Sequence, residues 1–167
     1  MGYKLIIYKD NKFYSEVNLK QKWENYIYKW GNIESGSYFF EIKNEETDVI
    51  SGVTYSHTAP FAKRFEAVVD EDLPPKSITG FQKGIDIYVE YSPSKKTFSL
   101  TKMKFYRMNL NISDFGLEKA DKVEIAGNFN NWKPDTEPIH YFEGTNYEVI
   151  LASPEGVYEY KYLIDGK

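Results

Sequence analysis

The amino-acid sequence predicts an all-β protein built from antiparallel β-sandwiches, and three observations carry this prediction. Aromatic residues make up 17% of the 167 residues, with 15 Tyr and 11 Phe, and these types are enriched in strands. Short apolar or alternating segments are separated by turn signals roughly a dozen residues apart, which is typical of sandwiches rather than of βαβ units. From residue 122 onward, apolar residues alternate with charged ones, as in strands that are buried on one face.

Six strand segments are expected in the first 101 residues. Each is short, rich in β-branched or aromatic residues, and bounded by Gly, Pro, Asn or charged clusters. The expected strands are 4–9, 37–42, 48–55, 65–69, 85–91 and 98–101, with turns or breaks at 9–12, 43–46, 73–75 and 92–96.

The segment 19–30 allows two interpretations. Its apolar residues recur at helical spacing, between residues that could cap both ends of a helix. The alternative is a strand over 24–30 that places Tyr26, Tyr28 and Trp30 on one face, and the β-propensity of Tyr, Ile and Trp supports it. Periodicity alone favours the helix, and both interpretations stay open.

A change of composition over 108–122 marks a boundary near residue 115, so the predicted units are 1–115 and 116–167. In the second unit, strands are expected at 122–126, 147–151 and 157–164. The last one divides into a row with Tyr158, Tyr160, Tyr162 and Ile164, assigned to the core, and a row that turns Lys161 outward. Asp165-Gly166 is a hairpin signal, but the sequence ends one residue later. The expected fold class is therefore all-β, with two immunoglobulin-like antiparallel β-sandwich units, the second truncated at its C-terminus.

Charge and composition exclude several classes of function. The net charge of −4 argues against a nucleic-acid partner, because phosphate binding needs clustered Lys and Arg. No apolar run approaches the ~18 residues of a membrane span, and the apolar stretch 3–8 is too short for a signal peptide. The absence of Cys removes disulfides and thiolate sites, and it is compatible with a reducing compartment such as the cytoplasm.

The two histidines give no sign of a catalytic site. Neither His57 nor His140 lies in a metalloprotease spacing, and nothing local places a Ser and a carboxylate beside either one. A pair of catalytic carboxylates would need a cleft that short β units would struggle to build. We therefore expect a non-catalytic chain with no metal or cofactor.

The segment 127–134, Gly-Asn-Phe-Asn-Asn-Trp-Lys-Pro, has the composition of a loop. Phe129 is expected to pack into the core, while Trp132 has polar neighbours and is expected to be partly exposed. An indole beside the amides of Asn130 and Asn131 suits a pyranose ring, because the ring face of the sugar is apolar and its rim carries hydroxyls. The alternative is a Trp that covers its own sandwich.

The blocks G-N-F-N-N-W-K and P-E-G-V-Y-E-Y-K-Y-L-I-D-G-K, in this order, resemble the family-48 carbohydrate-binding module over about 120–167. That family includes the glycogen-binding domain of AMP-activated protein kinase β subunits and the N-terminal sandwich of branching and debranching enzymes. The resemblance implies that Trp132 stacks on an α-glucan and that Lys161 contacts its hydroxyls. The family usually places a second stacking Trp after its D-G-K, a position beyond Lys167, so weak binding by this unit alone is expected.

The N-terminal unit, over about 1–110, has a looser resemblance to the family-41 starch-binding module of pullulanases. The carrying segment is Trp23-Glu24-Asn25-Tyr26-Ile27-Tyr28-Lys29-Trp30-Gly31, in which aromatic residues alternate. The resemblance implies that Trp30, Tyr28 and Trp23 are stacking platforms. The alternative is that these aromatic side chains fill the core of a sandwich.

The predicted function is non-covalent binding of α-glucan, as starch, glycogen, pullulan or maltooligosaccharide. The resemblances imply the N-terminal part of a pullulanase or debranching-type glycoside hydrolase, with a downstream catalytic domain as partner. One alternative is a regulatory or scaffolding subunit that uses the sandwich to dock onto protein. The other is a hydrolase acting alone, which requires two carboxyl groups facing each other across a cleft.

Overall fold

A computed structural model describes residues 2–54, 64–72, 74–79, 81, 83–133 and 139–166, without the side chains of 139–142. Apart from a 3-10 helix at Ile112–Phe115, the regular structure of these residues is antiparallel β, which confirms the predicted all-β class. The strand expected at 48–55 ends at Tyr55, and the break expected at 73–75 begins at Leu73. Both residues lie outside this description. The described strands are β1 Tyr3–Lys9, β2 Lys12–Asn18, β3 Lys20–Lys22, β4 Asn25–Trp30, β5 Tyr38–Asn44, β6 Ile50–Thr54, β7 Arg64–Asp70, β8 Ile87–Ser92, β9 Thr97–Asn111, β10 Val123–Gly127, β11 Ile139–Glu143, β12 Asn146–Pro154 and β13 Tyr160–Ile164.

The chain divides into two compact units, Met1–Lys102 and Met103–Lys167. The division falls inside β9, a strand of 15 residues, and so precedes the boundary expected near 115. The first residues of β9 pair with β7 and β8, and the remainder pairs with β12. Because one continuous strand serves both units, no Gly, Pro or change of composition marks the division in the sequence.

The first unit has the strand order β2-β1-β5-β6-β7-β9-β8-β4-β3, antiparallel throughout. Alternation decides which side chains are buried: Tyr38, Phe40 and Ile42 of β5 lie in the core, while the residues between them lie on the opposite face. Aromatic rings fill much of this core. Its largest fully buried members also include Leu5, Ile7, Ile33, Val53, Ile87, Phe98 and Leu100.

Residues 19–30 form strands, so the helical interpretation was wrong. β3 and β4 pair as a hairpin whose two-residue turn is Trp23-Glu24. β4 also pairs with β8, from Tyr26 opposite Tyr91 to Trp30 opposite Ile87. This distant strand, about sixty residues away in sequence, satisfies the backbone of β4 in a ladder and so overrides the local helical periodicity.

The second unit consists of two small sheets, β9-β12-β11 and β10-β13. Residues from both sheets share one hydrophobic cluster, and a second cluster lies beside it. Tyr162 of β13 packs against both clusters, and Tyr158 packs against the first. Tyr160, which we had assigned to the core, is instead 43% exposed, because it pairs with Gly127 at the end of β10, where the chain leaves the sheet.

Candidate functional site

The loop that follows β10 is closed by a compact set of hydrogen bonds. The Asn130 side-chain oxygen accepts from the Gly127 N–H at 2.9 Å, and its amide nitrogen donates to the Ile125 carbonyl at 2.9 Å. The Trp132 N–H donates to the Gly127 carbonyl at 2.9 Å, and the Lys133 N–H donates to the Asn130 carbonyl at 3.2 Å. The loop therefore has one defined backbone path, fixed largely by Asn130.

Along this path one aromatic residue is buried and another is exposed. Phe129 is buried in the core of the second unit, and Trp132 is 44% exposed, which confirms both expectations. Asn131 and Trp132 have φ of 59° and 58°, a left-handed conformation that Asn tolerates but that is unfavourable for a bulky residue such as Trp. The hydrogen bonds of the loop hold this conformation, and it carries the indole away from the core.

Gly127 is required where the loop leaves the sheet. A Cβ at this position would lie 2.5 Å from the Glu159 carbonyl oxygen and 2.5 Å from the Phe129 ring. Asn128 adds three bonds to the segment before β13: its N–H donates to the Glu159 carbonyl at 3.1 Å, its amide nitrogen donates to the Val157 carbonyl at 3.2 Å, and its side-chain oxygen accepts from the Glu159 N–H at 3.3 Å. These hydrogen bonds join the loop to the residues directly before β13.

Lys161 is exposed, as the alternation predicted. It pairs with Ala126, which lies between Ile125, the partner of Tyr162, and Gly127, where the loop begins. Lys161 and Trp132 therefore belong to the same end of the β10-β13 pair. Tyr160, partly exposed beside Lys161, is a further candidate that the sequence analysis had placed in the core.

The two asparagines of the expected site have different environments. Both polar atoms of the Asn130 side chain are engaged in holding the loop, so this residue positions the site rather than facing a ligand. The Asn131 side-chain oxygen is buried and has no hydrogen-bond partner among the described residues. Asn131 also stands directly before the exposed indole in the chain.

The aromatic residues predicted to bind sugar in the first unit divide into buried and exposed. Trp30 is 6% exposed and packs edge-on against Tyr38, with ring centroids 5.1 Å apart, so it is a core residue with no ring face available to a ligand. Tyr28 is half-buried against the same core, and burial raises the pKa of its hydroxyl. Trp23, by contrast, is 60% exposed.

Gly127 and Asn128 are positioning residues that the sequence analysis missed. Asn at both 128 and 130, with one residue between them, is a signal for side chains that bond to nearby backbone in turns. Within the described residues, no group of three or more acidic or His side chains could hold a metal ion. Likewise, none of the helical structure described is long and apolar enough to cross a membrane. His57 and the side chain of His140 lie outside the description.

Comparison with protein families gives a match in the second unit. Residues 117–167 match the family model of the glycogen recognition site of AMP-activated protein kinase, which contains the whole loop and Lys161. The resemblance of this segment to a glycogen-binding type of module is thereby confirmed, while the assignments to family 48 and family 41 stay predictions. A search of curated proteins gave no match.

One solved structure is similar over nearly the whole chain. The crystal structure of SusF from Bacteroides thetaiotaomicron matches with a TM-score of 0.41 and 14% sequence identity, covering 99% of this chain. The chain spans 47% of that protein's length.

Proposed function

We propose that this protein is a non-catalytic α-glucan-binding protein and that its second unit binds a glucose residue on the surface formed by Trp132, Asn131 and Lys161. The observation that carries the proposal is the partly exposed indole of Trp132, held on a hydrogen-bonded loop within the segment that matches a glycogen recognition family. Asn130, Asn128 and Gly127 position this surface.

The chemistry of the surface suits a neutral sugar. The indole can cover the apolar face of a pyranose, while the Lys161 ammonium and the Asn131 amide nitrogen can donate to the hydroxyls at its rim. Ring stacking and hydrogen bonding of this kind need no proton transfer and no nucleophile. It is therefore a binding arrangement, consistent with a non-catalytic role.

The magnitudes predict a weak site. Covering ~60 Å² of sugar at about 25 cal/mol/Å² contributes roughly 1.5 kcal/mol, and each net hydrogen bond adds about 1 kcal/mol. Millimolar affinity requires about 4 kcal/mol. The site alone should thus bind a single oligosaccharide at millimolar concentrations, and tight binding requires further contacts on a polymer.

The proposal extends to the parent protein. The resemblance of 120–167 to family 48 supports a role as the front part of a pullulanase or debranching-type hydrolase, with a catalytic domain downstream. The scaffolding alternative would favour a Trp132 covered within a broad apolar patch. The indole is exposed beside Asn131 and Lys133 instead, which favours the sugar.

The test is Trp132→Ala in affinity electrophoresis through gels that contain glycogen. We expect the variant to lose at least tenfold in affinity for glycogen, because the indole supplies the main apolar contact. Phe115→Ala is the matched control: Phe115 is 65% exposed in the same unit but lies outside the loop. Retardation of Trp132→Ala equal to that of the control would overturn the proposed site.

A further inference from the structure

The turn between β3 and β4 places an aromatic residue in an unfavourable backbone conformation. Trp23 has φ of 54° at the first position of a two-residue hairpin turn, where Gly, Asn or Asp is normally found. A bulky side chain at positive φ is an outlier, and such outliers cluster at binding and switch sites. Trp23 is also 60% exposed, so the turn gains no core packing in return.

The exposed indole borders an open groove of about 520 Å³, a size that suits a small ligand. Its other lining residues include Asn25 at the start of β4, Glu90 on β8, and Ser94 and Lys95 in the turn after β8. A second depression of about 180 Å³ shares Asn25, Glu90, Ser92 and Lys95 with the first, and its further lining residues lie on β7 and β9. The two depressions therefore form one groove that is longer than the first depression alone.

The polar groups of the groove are ordered by their own contacts. The Asn25 amide nitrogen lies 3.3 Å from the Glu90 carboxylate, and Lys22 donates to the Tyr88 hydroxyl at 3.2 Å. The hydroxyls of Ser92 and Ser94 are 3.4 Å apart. Amide, hydroxyl, ammonium and carboxylate groups beside an indole are the groups that bond sugar hydroxyls while a ring face is covered.

The charges of the groove favour a neutral ligand. Lys22 and Lys95 are balanced by Glu24 and Glu90 among the lining residues. An anionic ligand would meet as many carboxylates as ammonium groups, so electrostatic attraction would not select it. A hydroxyl-rich, uncharged ligand can bond to both kinds of group.

We propose that this groove is a second hexose-binding site, centred on Trp23, so that each unit contributes one exposed tryptophan to the binding of one α-glucan particle. The identity of the ligand as glucan rests on the proposed function of the second unit. Because a branched polymer presents many chain ends, one particle can occupy both sites. Two weak sites then give an affinity for polymer well above that of either site.

The three tryptophans allow each site to be observed separately. In Trp132→Ala the only exposed indole is Trp23, since Trp30 is 6% exposed; in Trp23→Ala it is Trp132. We expect maltoheptaose, at concentrations that saturate a millimolar site, to lower acrylamide quenching at least twofold in each variant. Protection in Trp23→Ala without protection in Trp132→Ala would overturn the second site and leave the proposed function standing.

The converse outcome, protection in Trp132→Ala alone, would support the groove and contradict the site at Trp132. Absence of protection in both variants would overturn both proposals. A second measurement separates binding from folding. Asn tolerates positive φ, so Trp23→Asn should raise the midpoint of thermal unfolding while it lowers the affinity for glycogen at least tenfold.

The matched control for that affinity is Phe13→Ala. Phe13 is 64% exposed on β2 of the same unit and does not line the groove. Its substitution should leave glycogen affinity within twofold of the parent protein. A loss in Phe13→Ala equal to that in Trp23→Asn would show a general effect of removing exposed aromatic surface and would contradict a specific groove.

Discussion

Tyr162 illustrates how a single polar atom can limit the stability of the second unit. Its ring packs between the two hydrophobic clusters, but its hydroxyl is buried without a hydrogen-bond partner among the described residues. Burying a hydroxyl without a partner costs about 1–3 kcal/mol. The neighbouring Tyr158 differs, because its hydroxyl donates to the Pro154 carbonyl.

Tyr162→Phe should therefore increase the free energy of unfolding by about 1 kcal/mol, since the ring remains and the unpaired hydroxyl is removed. Urea unfolding monitored by circular dichroism measures the change. Tyr158→Phe is the paired control and should decrease stability by a similar amount, because it leaves the Pro154 carbonyl without its donor. Destabilisation of both variants would contradict the assignment for Tyr162.

Gly127→Ala tests the close approach at the start of the loop. The new Cβ would meet the Glu159 carbonyl oxygen at 2.5 Å, and that oxygen is held by Asn128, so the backbone has to shift. We expect a loss of about 1–3 kcal/mol in stability together with weaker glycogen binding. At Gly156 the nearest atoms would lie 3.8 Å away, and Gly156→Ala should change neither property appreciably.

At the scale of the element, the loop after β10 depends on the side-chain amide of Asn130, which accepts one hydrogen bond and donates another. Asn130→Asp keeps the acceptor for Gly127 but replaces the donor to the Ile125 carbonyl with a second carboxylate oxygen. Removing that donor and placing an acceptor against the carbonyl should cost about 1–3 kcal/mol and weaken glycogen binding, although Trp132 is unchanged. Glycogen affinity equal to that of the parent protein would exclude a positioning role for Asn130.

The hairpin β3-β4 shows what local sequence could and could not predict. The alternation in 24–30 predicted that Tyr26, Tyr28 and Trp30 share a face, and β4 has that arrangement. Periodicity nevertheless favoured a helix, because the decisive partner β8 is distant in sequence. Nor could alternation tell which face would be covered, so both a platform at Trp30, implied by the resemblance to family 41, and core packing stayed open until the structure placed Trp30 in the core.

At the scale of the whole molecule, each unit contains a buried tyrosine that should make folding sensitive to alkali. Burial is the main cause that raises the pKa of Tyr91 and of Tyr162 from 10.0 to about 12. Between pH 10 and about pH 12, the folded protein therefore retains these phenolic protons while the unfolded chain loses them. Their ionisation therefore leaves the free energy of unfolding unchanged below pH 10 and decreases it as the pH rises from 10 toward 12.

We expect the midpoint of thermal unfolding to fall between pH 10 and pH 12, as measured by circular dichroism. Tyr91→Phe and Tyr162→Phe should each reduce this alkaline loss, since the substituted group no longer ionises. Their pH profiles below 10 should run parallel to that of the parent protein. An unchanged alkaline slope in both variants would exclude these two hydroxyls as its source.

The sequence by itself determined the all-β class, the loop around Trp132 and the outward direction of Lys161, because alternation, Gly and Asn act through neighbouring residues. Only the tertiary structure decided that 19–30 is a hairpin, that Trp30 is covered while Trp23 is exposed, and that Asn130 holds the loop rather than facing a ligand. Each of these depends on residues brought together from distant parts of the chain, or on backbone groups whose partners are fixed only once the sheets have formed.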